Sequence, residues 1–169
     1  MVKEIAQLLK DHGALLHGDF VLASGARSSY YLDVKTAMTD PALLTELAEE
    51  IIRAADFEVV AGVAVGGVPI AVATSLAANR PYAIIRSEKK DHGTAGRVIG
   101  PVGGRRVLLV EDVTTSGGSA LYGVQVLREF GATIDTVVTV VDRRQGAGEL
   151  LRTEGVRLIA LATADEITG

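Results

Sequence analysis

Short apolar runs and segments of helical spacing alternate along this chain from residue 59 to its end. The apolar runs cover 59–65, 82–86, 106–111, 134–141 and 156–161, and their few charged residues stand at or next to an end of the run. Segments of helical spacing separate them, at 69–79, before Gly131 and near 147–154. Strands that are apolar on both faces are typical of parallel sheets covered by helices on each side. The sequence therefore predicts an α/β fold with a doubly wound, mostly parallel sheet.

The first 35 residues do not follow this alternation. Residues 2–11 have helical spacing and stop at Gly13, and two short apolar segments, 20–22 and 30–32, flank a polar turn at 24–29. A helix then follows from Pro41, with Thr39 or Asp40 as its cap. With 169 residues and no linker or repeat, we predict one domain, 1–169, in which 1–35 form a small hood over one edge of the sheet.

Residues 59–79 contain no charged side chain, and their length matches a membrane span. Gly66 to Pro69 interrupt this stretch in its middle, and alanine and glycine outnumber the larger apolar residues. A strand, a glycine turn and a helix explain the stretch better than a membrane segment does.

Composition excludes several classes of function. Aromatic residues make up 4% of the chain and tryptophan is absent, which argues against a protein that stacks nucleic-acid bases on aromatic rings. The net charge of −4 does not favour nonspecific binding of nucleic acid. Without cysteine there is no disulfide framework, no thiolate nucleophile and no cysteine-based zinc site. Acidic and polar residues stand too early for a signal peptide, and we expect a cytoplasmic protein.

Ligands of doubly wound sheets bind at the carboxyl ends of the strands, and the loop after the third predicted strand is the most informative. Residues 107–120 read VLLVEDVTTSGGSA. Glycines and hydroxyl side chains before a helix present N–H groups to an anion such as a phosphate. The two acids, Glu111 and Asp112, would instead accept hydrogen bonds from neutral hydroxyls, such as those of a ribose.

Other interpretations of this loop are weaker. A Walker A loop requires a lysine that is missing here, and the GxGxxG pattern of dinucleotide-binding proteins is also absent. A plain N-capping turn with a solvated acidic pair would require the whole string to be a coincidence. VLLVEDVTTSGGSA resembles the phosphoribosyl-pyrophosphate (PRPP) signature of type I phosphoribosyltransferases.

Three further segments resemble one branch of that family, the orotate phosphoribosyltransferases. RSEKKDHGTAGR (86–97) is similar to their mobile catalytic loop, although a charge run alone usually indicates a solvated hairpin. FVLASGARSSYYLDVK (20–35) is similar to their N-terminal segment, and VVDRRQGA (140–147) to their strand-end Asp-Arg motif. The resemblance covers most of the chain.

The resemblance implies a role for each matching residue. Arg86, Lys90 and His92 would bind the pyrophosphate of PRPP, and Lys90 and His92 would also be the catalytic residues. Glu111 and Asp112 would hold the ribose hydroxyls. The 5′-phosphate would be cradled by the loop residues Val113, Thr114, Thr115, Ser116, Gly117, Gly118 and Ser119.

The resemblance also implies that Thr115 and Arg143 contact orotate. A planar guanidinium suits a ring that bears a carboxylate, although an ordinary surface arginine beside Arg144 is the simpler interpretation of Arg143 taken alone.

This sequence departs from the family pattern in its cations. Many bacterial relatives carry lysine where Ala23, Gly66 and Ser87 stand, and their acidic pair often begins with aspartate. The missing charges would weaken contact with pyrophosphate, or Lys89 and Arg27 would supply it instead.

The reaction implied is the transfer of the phosphoribosyl group of PRPP to orotate, which yields orotidine 5′-monophosphate and pyrophosphate. Mg²⁺ would be held through PRPP oxygens, since no dense carboxylate cage is present in the sequence. In the family, loop residues reach the site of the partner subunit, so a homodimer is implied. The alternatives are a purine phosphoribosyltransferase, a regulator that senses PRPP or a nucleobase, and a generic phosphate-binding α/β domain.

Overall fold

The structure is a computed structural model that describes residues 4–87 and 96–169. The described residues form a two-stranded and a six-stranded sheet. The strands are β1 (Leu15–Val21), β2 (Arg27–Leu32), β3 (Val59–Val63), β4 (Tyr82–Ile85), β5 (Val98–Ile99), β6 (Val107–Thr114), β7 (Thr136–Asp142) and β8 (Arg157–Thr163). The helices are α1 (Ile5–Asp11), α2 (Val34–Ala37), α3 (Pro41–Ala54), α4 (Gly67–Ala78), α5 (Gly118–Glu129), α6 (Ala147–Arg152) and α7 (Ala164–Thr168).

The larger sheet has the order β5-β4-β3-β6-β7-β8. All of its pairs are parallel except β4 with β5, which is antiparallel. The chain leaves β3 toward β4 and later returns to β6 on the opposite side of β3. Because the direction of winding reverses there, a crevice opens between the carboxyl ends of β3 and β6. The predicted α/β fold with a doubly wound, mostly parallel sheet is confirmed.

The central strands β3, β6 and β7 are buried on both faces, which is why they are apolar at nearly every position. In β6, Leu108 and Val110 belong to the apolar cluster on the α4 face, while Val107 and Leu109 pack with α5 on the other. Successive side chains of a strand point to opposite faces, so each strand contributes to two separate apolar clusters. Helix α3 begins with the Asp40 carboxylate accepting the N–H groups of Ala42 and Leu43, at 2.9 and 3.2 Å, which identifies Asp40 as its cap.

Residues 4–32 contribute no strand to the larger sheet. Strands β1 and β2 form an antiparallel hairpin of their own, and α1 packs against α7 and β8. The predicted position of the hairpin was wrong: β1 begins at Leu15, and the turn lies at 22–26 rather than 24–29. Gly25, with φ of +83°, makes this turn, and exposed polar residues continue β2, since a strand outside the core does not need apolar side chains.

Strand ends differ from the predictions in a consistent way. Strand β6 continues through both acids to Thr114, and β7 continues to Asp142. An apolar run predicts only the part of a strand that is buried among apolar side chains, so the polar ends at the ligand-binding edge were missed. The edge strand β5 and the helices α2 and α7 were not predicted either, because they are short.

Helix α4 begins at Gly67, two residues before the predicted start. It packs so closely on β3 that a Cβ atom on Gly62 would overlap the backbone carbonyl of Gly67. No helix in the described ranges is both long and apolar enough to cross a membrane.

This close approach predicts a large loss of stability for Gly62→Ala. The added methyl group meets main-chain atoms that cannot rotate away, so we expect the free energy of unfolding to fall by at least about 2 kcal/mol. Gly148→Ala is the matched control, because a Cβ atom there meets nothing within 4 Å; in a helix it should be neutral or stabilising by about 0.5 kcal/mol. Urea unfolding of both variants measures the difference, and equal stabilities would contradict the proposed contact.

Candidate active site

The described site residues gather at the carboxyl edge of the sheet, on both sides of the crevice. Glu111 and Asp112 lie near the end of β6, the loop 115–117 leads into α5, and Arg143 follows β7. Arg86 follows β4 on the far side of β3. Because these strands are parallel neighbours, the fold brings together loops that are separated by up to 57 residues in the sequence.

The loop after β6 surrounds a small cavity. Its volume is about 120 Å³, and it is lined by Glu111 together with residues 113–120. Gly117 adopts φ of +91°, and a Cβ atom there would lie 2.9 Å from Cα of Ala147, so α6 supports the loop from behind. No side chain caps the N-terminus of α5. Free N–H groups at a helix start, beside exposed hydroxyls, are suited to a phosphate.

The two acids are buried, which the sequence analysis did not predict. Glu111 is 4% exposed and Asp112 is 5% exposed. Oε1 of Glu111 accepts a hydrogen bond from the Ser119 hydroxyl at 3.2 Å. Burial, followed by repulsion from Asp112, raises the pKa of Glu111 to about 7, while Ser119 and Lys35 act in the opposite direction. Each buried carboxylate can therefore accept a hydroxyl that enters the crevice.

Lys35, which we did not predict as a site residue, contacts this pair. Its Nζ lies 2.8 Å from Oδ2 of Asp112 and forms an ion pair with this buried oxygen. Close contact with Asp112 raises the pKa of Lys35. The available signal was a single cation directly after YYLDV in the N-terminal segment, but nothing in a sequence pairs residues 77 positions apart. Arg27, expected as a replacement cation, lies instead in the hairpin, 3.7 Å from Asp19.

The strand end of β7 is joined to that of β6. The Thr114 hydroxyl donates to Asp142 at 3.1 Å, and the N–H of Arg143 donates to the carbonyl of Thr114 at 2.9 Å. Arg143 is half-buried while Arg144 is exposed. The hydrogen bonds therefore place Arg143 directly beside the loop that begins with Thr115.

Arg86 lies at the end of β4, where the Tyr122 hydroxyl donates to its carbonyl at 2.9 Å. Its Nε is buried and has no partner among the described residues. A buried donor without an acceptor is uncommon, and this arginine is available to an anion. Lys89, Lys90 and His92 lie outside the described residues.

The raised pKa of Glu111 makes stability depend on pH in a definite direction. The unfolded chain releases this proton near pH 4.5 and the folded chain near 7, so the folded state loses stability as pH rises through this window. The slope is at most about 1.4 kcal/mol per pH unit, and the total is on the order of 3 kcal/mol. Glu111→Gln, which keeps an acceptor for Ser119, should abolish this loss.

Urea unfolding from about pH 5 to about pH 8 tests the effect. We expect the wild-type protein to lose stability relative to the Glu111→Gln variant as pH rises. Glu46→Gln, at an exposed position of α3, is the control and should follow the wild type. A constant difference between wild type and Glu111→Gln would show that Glu111 ionises normally.

Comparison with known proteins agrees with this geometry. The profile of the phosphoribosyl transferase domain matches residues 33–162. The orotate phosphoribosyltransferase of Methanoculleus marisnigri is 62% identical over 167 residues, which cover 99% of this chain and 98% of that protein. The orotate phosphoribosyltransferase of Methanocorpusculum labreanum is 60% identical, over 99% of each chain.

Solved structures show the same relationship. The crystal structure of orotate phosphoribosyltransferase from Aeropyrum pernix has a TM-score of 0.85 and 40% identity, over 96% of this chain and 95% of that one. The Mycobacterium tuberculosis orotate phosphoribosyltransferase in complex with PRPP has a TM-score of 0.80 and 31% identity, over 98% of each chain. This chain, with its buried acidic pair above a glycine and hydroxyl loop, belongs to the orotate phosphoribosyltransferases of the phosphoribosyl transferase family.

Proposed function

We propose that this protein transfers the phosphoribosyl group of PRPP to orotate, giving orotidine 5′-monophosphate and pyrophosphate in pyrimidine biosynthesis. The observation that carries the proposal is the pair of buried carboxylates beside an uncapped helix N-terminus, at the crevice where the sheet reverses its winding. Similarity over nearly the whole chain to proteins of this activity supports it.

The ribose 5-phosphate part of PRPP fits the β6 side of the crevice. The cavity of about 120 Å³ would take the 5′-phosphate, with N–H and hydroxyl donors from residues 113–119. Glu111 and Asp112 would accept the two ribose hydroxyls, and neutral hydroxyls suit acids that a second phosphate would repel. With its phosphate in the loop and its hydroxyls on the two acids, the sugar would present its anomeric carbon to the open crevice.

The pyrophosphate would leave from the β3 side. The anomeric carbon passes through a state that resembles an oxocarbenium ion, and Arg86, Lys90 and His92 would stabilise the charge that develops on the leaving group. Lys90 and His92 would also assist proton transfer. For Arg86, the buried Nε without a partner supports this role.

Mg²⁺ is proposed as the cofactor, held through oxygens of PRPP. Within residues 4–87 and 96–169, no cluster of three or more histidine or acidic side chains could hold a metal, and Lys35 already contacts Oδ2 of Asp112. When bound, Mg²⁺ supplies positive charge that neutralises the pyrophosphate. The chain's own part is to hold the ribose and the leaving group in place.

The base would lie against Thr115 and Arg143. The guanidinium suits the orotate carboxylate, and the hydrogen bond from the backbone N–H of Arg143 to the Thr114 carbonyl keeps the main chain of this residue beside the loop. A purine phosphoribosyltransferase and a regulator are not favoured, because the full-length relatives at 60% identity and above are orotate phosphoribosyltransferases.

Orotate consumption with PRPP and Mg²⁺ tests the function, with hypoxanthine, uracil and adenine in parallel. We expect turnover of orotate alone. Arg143→Ala should raise the KM for orotate by about tenfold or more, since a charge-assisted contact contributes about 1.5–3 kcal/mol. Arg144→Ala is the matched neighbour and should leave this KM within about twofold. Turnover of another base without orotate would overturn the assignment, and equal effects of the two variants would remove Arg143 from the site.

A homodimer is also proposed, and the surface of α4 supports it. Helix α4 contains no charged residue, and such a helix is normally covered on all sides. An apolar groove of about 650 Å³ lies between α3 and α4, and Leu76 at its edge is 79% exposed. A second copy of this chain would bury it. A cytoplasmic location and the absence of nucleic-acid and membrane partners stay predictions from composition.

Leu76→Asp tests the dimer. A charge buried at an apolar interface is costly, so we expect this variant to elute as a monomer where the wild type elutes as a dimer in size-exclusion chromatography with light scattering. Ile99→Asp, at an exposed apolar position on the edge strand β5, is the control and should remain dimeric. A Leu76→Asp dimer, or a monomeric wild type, would contradict the proposal.

A further inference from the structure

We propose that Lys35 is a further substrate-binding residue, whose ammonium group bridges the Asp112 carboxylate and the diphosphate arm of PRPP. The inference deepens the proposed function and rests on it. The positive charge in the crevice between β3 and β6 would then come from helix α2, and not from the loops that follow the strands of the larger sheet.

The position of Lys35 is built into the fold. Its short helix is held by buried apolar side chains, since Val34, Ala37 and Met38 are 1%, 4% and 2% exposed. The Asp33 carboxylate accepts the N–H of Thr36 at 3.1 Å and caps the helix. Lys35 is therefore presented from a rigid support toward the acidic pair.

The two partners of the ion pair differ in exposure. The side chain of Asp112 is 7% exposed while that of Lys35 is 67% exposed. An ammonium group has three donors, and contact with Asp112 occupies one direction only. Because the Lys35 side chain is largely exposed, its other donors remain accessible to an anionic ligand.

The charge of the site requires such a cation. Two adjacent carboxylates are buried at the end of β6, and a diphosphate that approaches them without compensation would be repelled. Among the described residues, Lys35 is the cation that forms an ion pair with Asp112. It also acts against the raised pKa of Glu111, so its charge reaches both acids.

The loop between β3 and α4 does not supply a positive charge here, because Gly66 has no side chain. A larger residue at this position would require Asp112 to move. A Cβ atom at this position would lie 2.6 Å from both carboxylate oxygens of Asp112. Gly66 also precedes α4, a helix of 12 residues whose N-terminus has no side-chain cap. Oδ2 of Asp112, which this Cβ atom would approach, is also the oxygen that Lys35 contacts at 2.8 Å. The crevice thus offers an ammonium and a helix N-terminus to the diphosphate, and a carboxylate to the ribose.

Binding of two separate probes tests the role. Inorganic pyrophosphate and ribose 5-phosphate are titrated by calorimetry, each with Mg²⁺, into wild type, Lys35→Met and Lys35→Arg. Lys35→Met keeps the aliphatic stem and should weaken pyrophosphate about tenfold or more while changing ribose 5-phosphate less than about threefold. Lys35→Arg keeps the charge and should recover most of the pyrophosphate affinity. Lys10→Met, on α1, is the control and should match the wild type.

Two results would overturn the inference. Unchanged pyrophosphate affinity in Lys35→Met would show that the ammonium does not reach the diphosphate. Equal losses for both probes would show that Lys35 acts only by orienting Asp112. Thermal melts exclude misfolding, and if Lys35→Met is unfolded, the comparison of Lys35→Arg with Lys35→Gln gives the same decision.

Failure of this inference can be distinguished from failure of the proposed function. A wild-type protein that consumes orotate, with pyrophosphate binding that is indifferent to Lys35, contradicts this inference alone. A wild-type protein that binds pyrophosphate through Lys35 but does not consume orotate contradicts the proposed function alone. Binding of neither probe by the wild type contradicts both.

Discussion

The burial of two adjacent carboxylates at the end of an apolar strand is the constraint around which this site is organised. Desolvation of an acid is costly unless a partner compensates for it, and the compensation here comes from three separate elements. Ser119 of α5 donates to Glu111, Lys35 of α2 approaches Asp112, and Glu111 retains its proton up to a pH of about 7. The free protein is thus prepared for hydroxyl groups that would complete these contacts.

Close backbone contacts fix the elements on each side of the crevice. Gly62 allows α4 to approach β3 directly, and Gly117 allows α6 to support the phosphate loop. A side chain at either position would separate the elements by the width of a methyl group or more. The excess of small residues in this chain is therefore partly a requirement of the site, because short distances between loops depend on close distances between the elements beneath them.

The sequence predicted most of the framework and part of the site. The solid apolar runs indicated a parallel sheet, since only strands buried on both faces lack polar positions. The string VLLVEDVTTSGGSA indicated Glu111, Asp112 and the loop that we propose for the phosphate, because phosphate binding by backbone groups requires glycine and hydroxyl residues in local order. Arg143 was predicted through its resemblance to a family motif, and its hydrogen bond to Thr114 supplies a physical reason for its place.

Other features could not be predicted because they depend on distances across the fold. The hairpin differed because the apolar segments 20–22 and 30–32 mark only part of two largely exposed strands. Strands β6 and β7 extended into polar residues that burial alone explains. Lys35 has no neighbouring motif, and its relation to Asp112 exists only where α2 meets β6.

The amino-acid sequence determined the alternation of elements and the chemistry of the loops, since both are encoded in residues close together along the chain. The tertiary structure decided the protonation of Glu111, the partner of Asp112 and the exposure of α4, because burial and charge pairing arise only when distant segments meet.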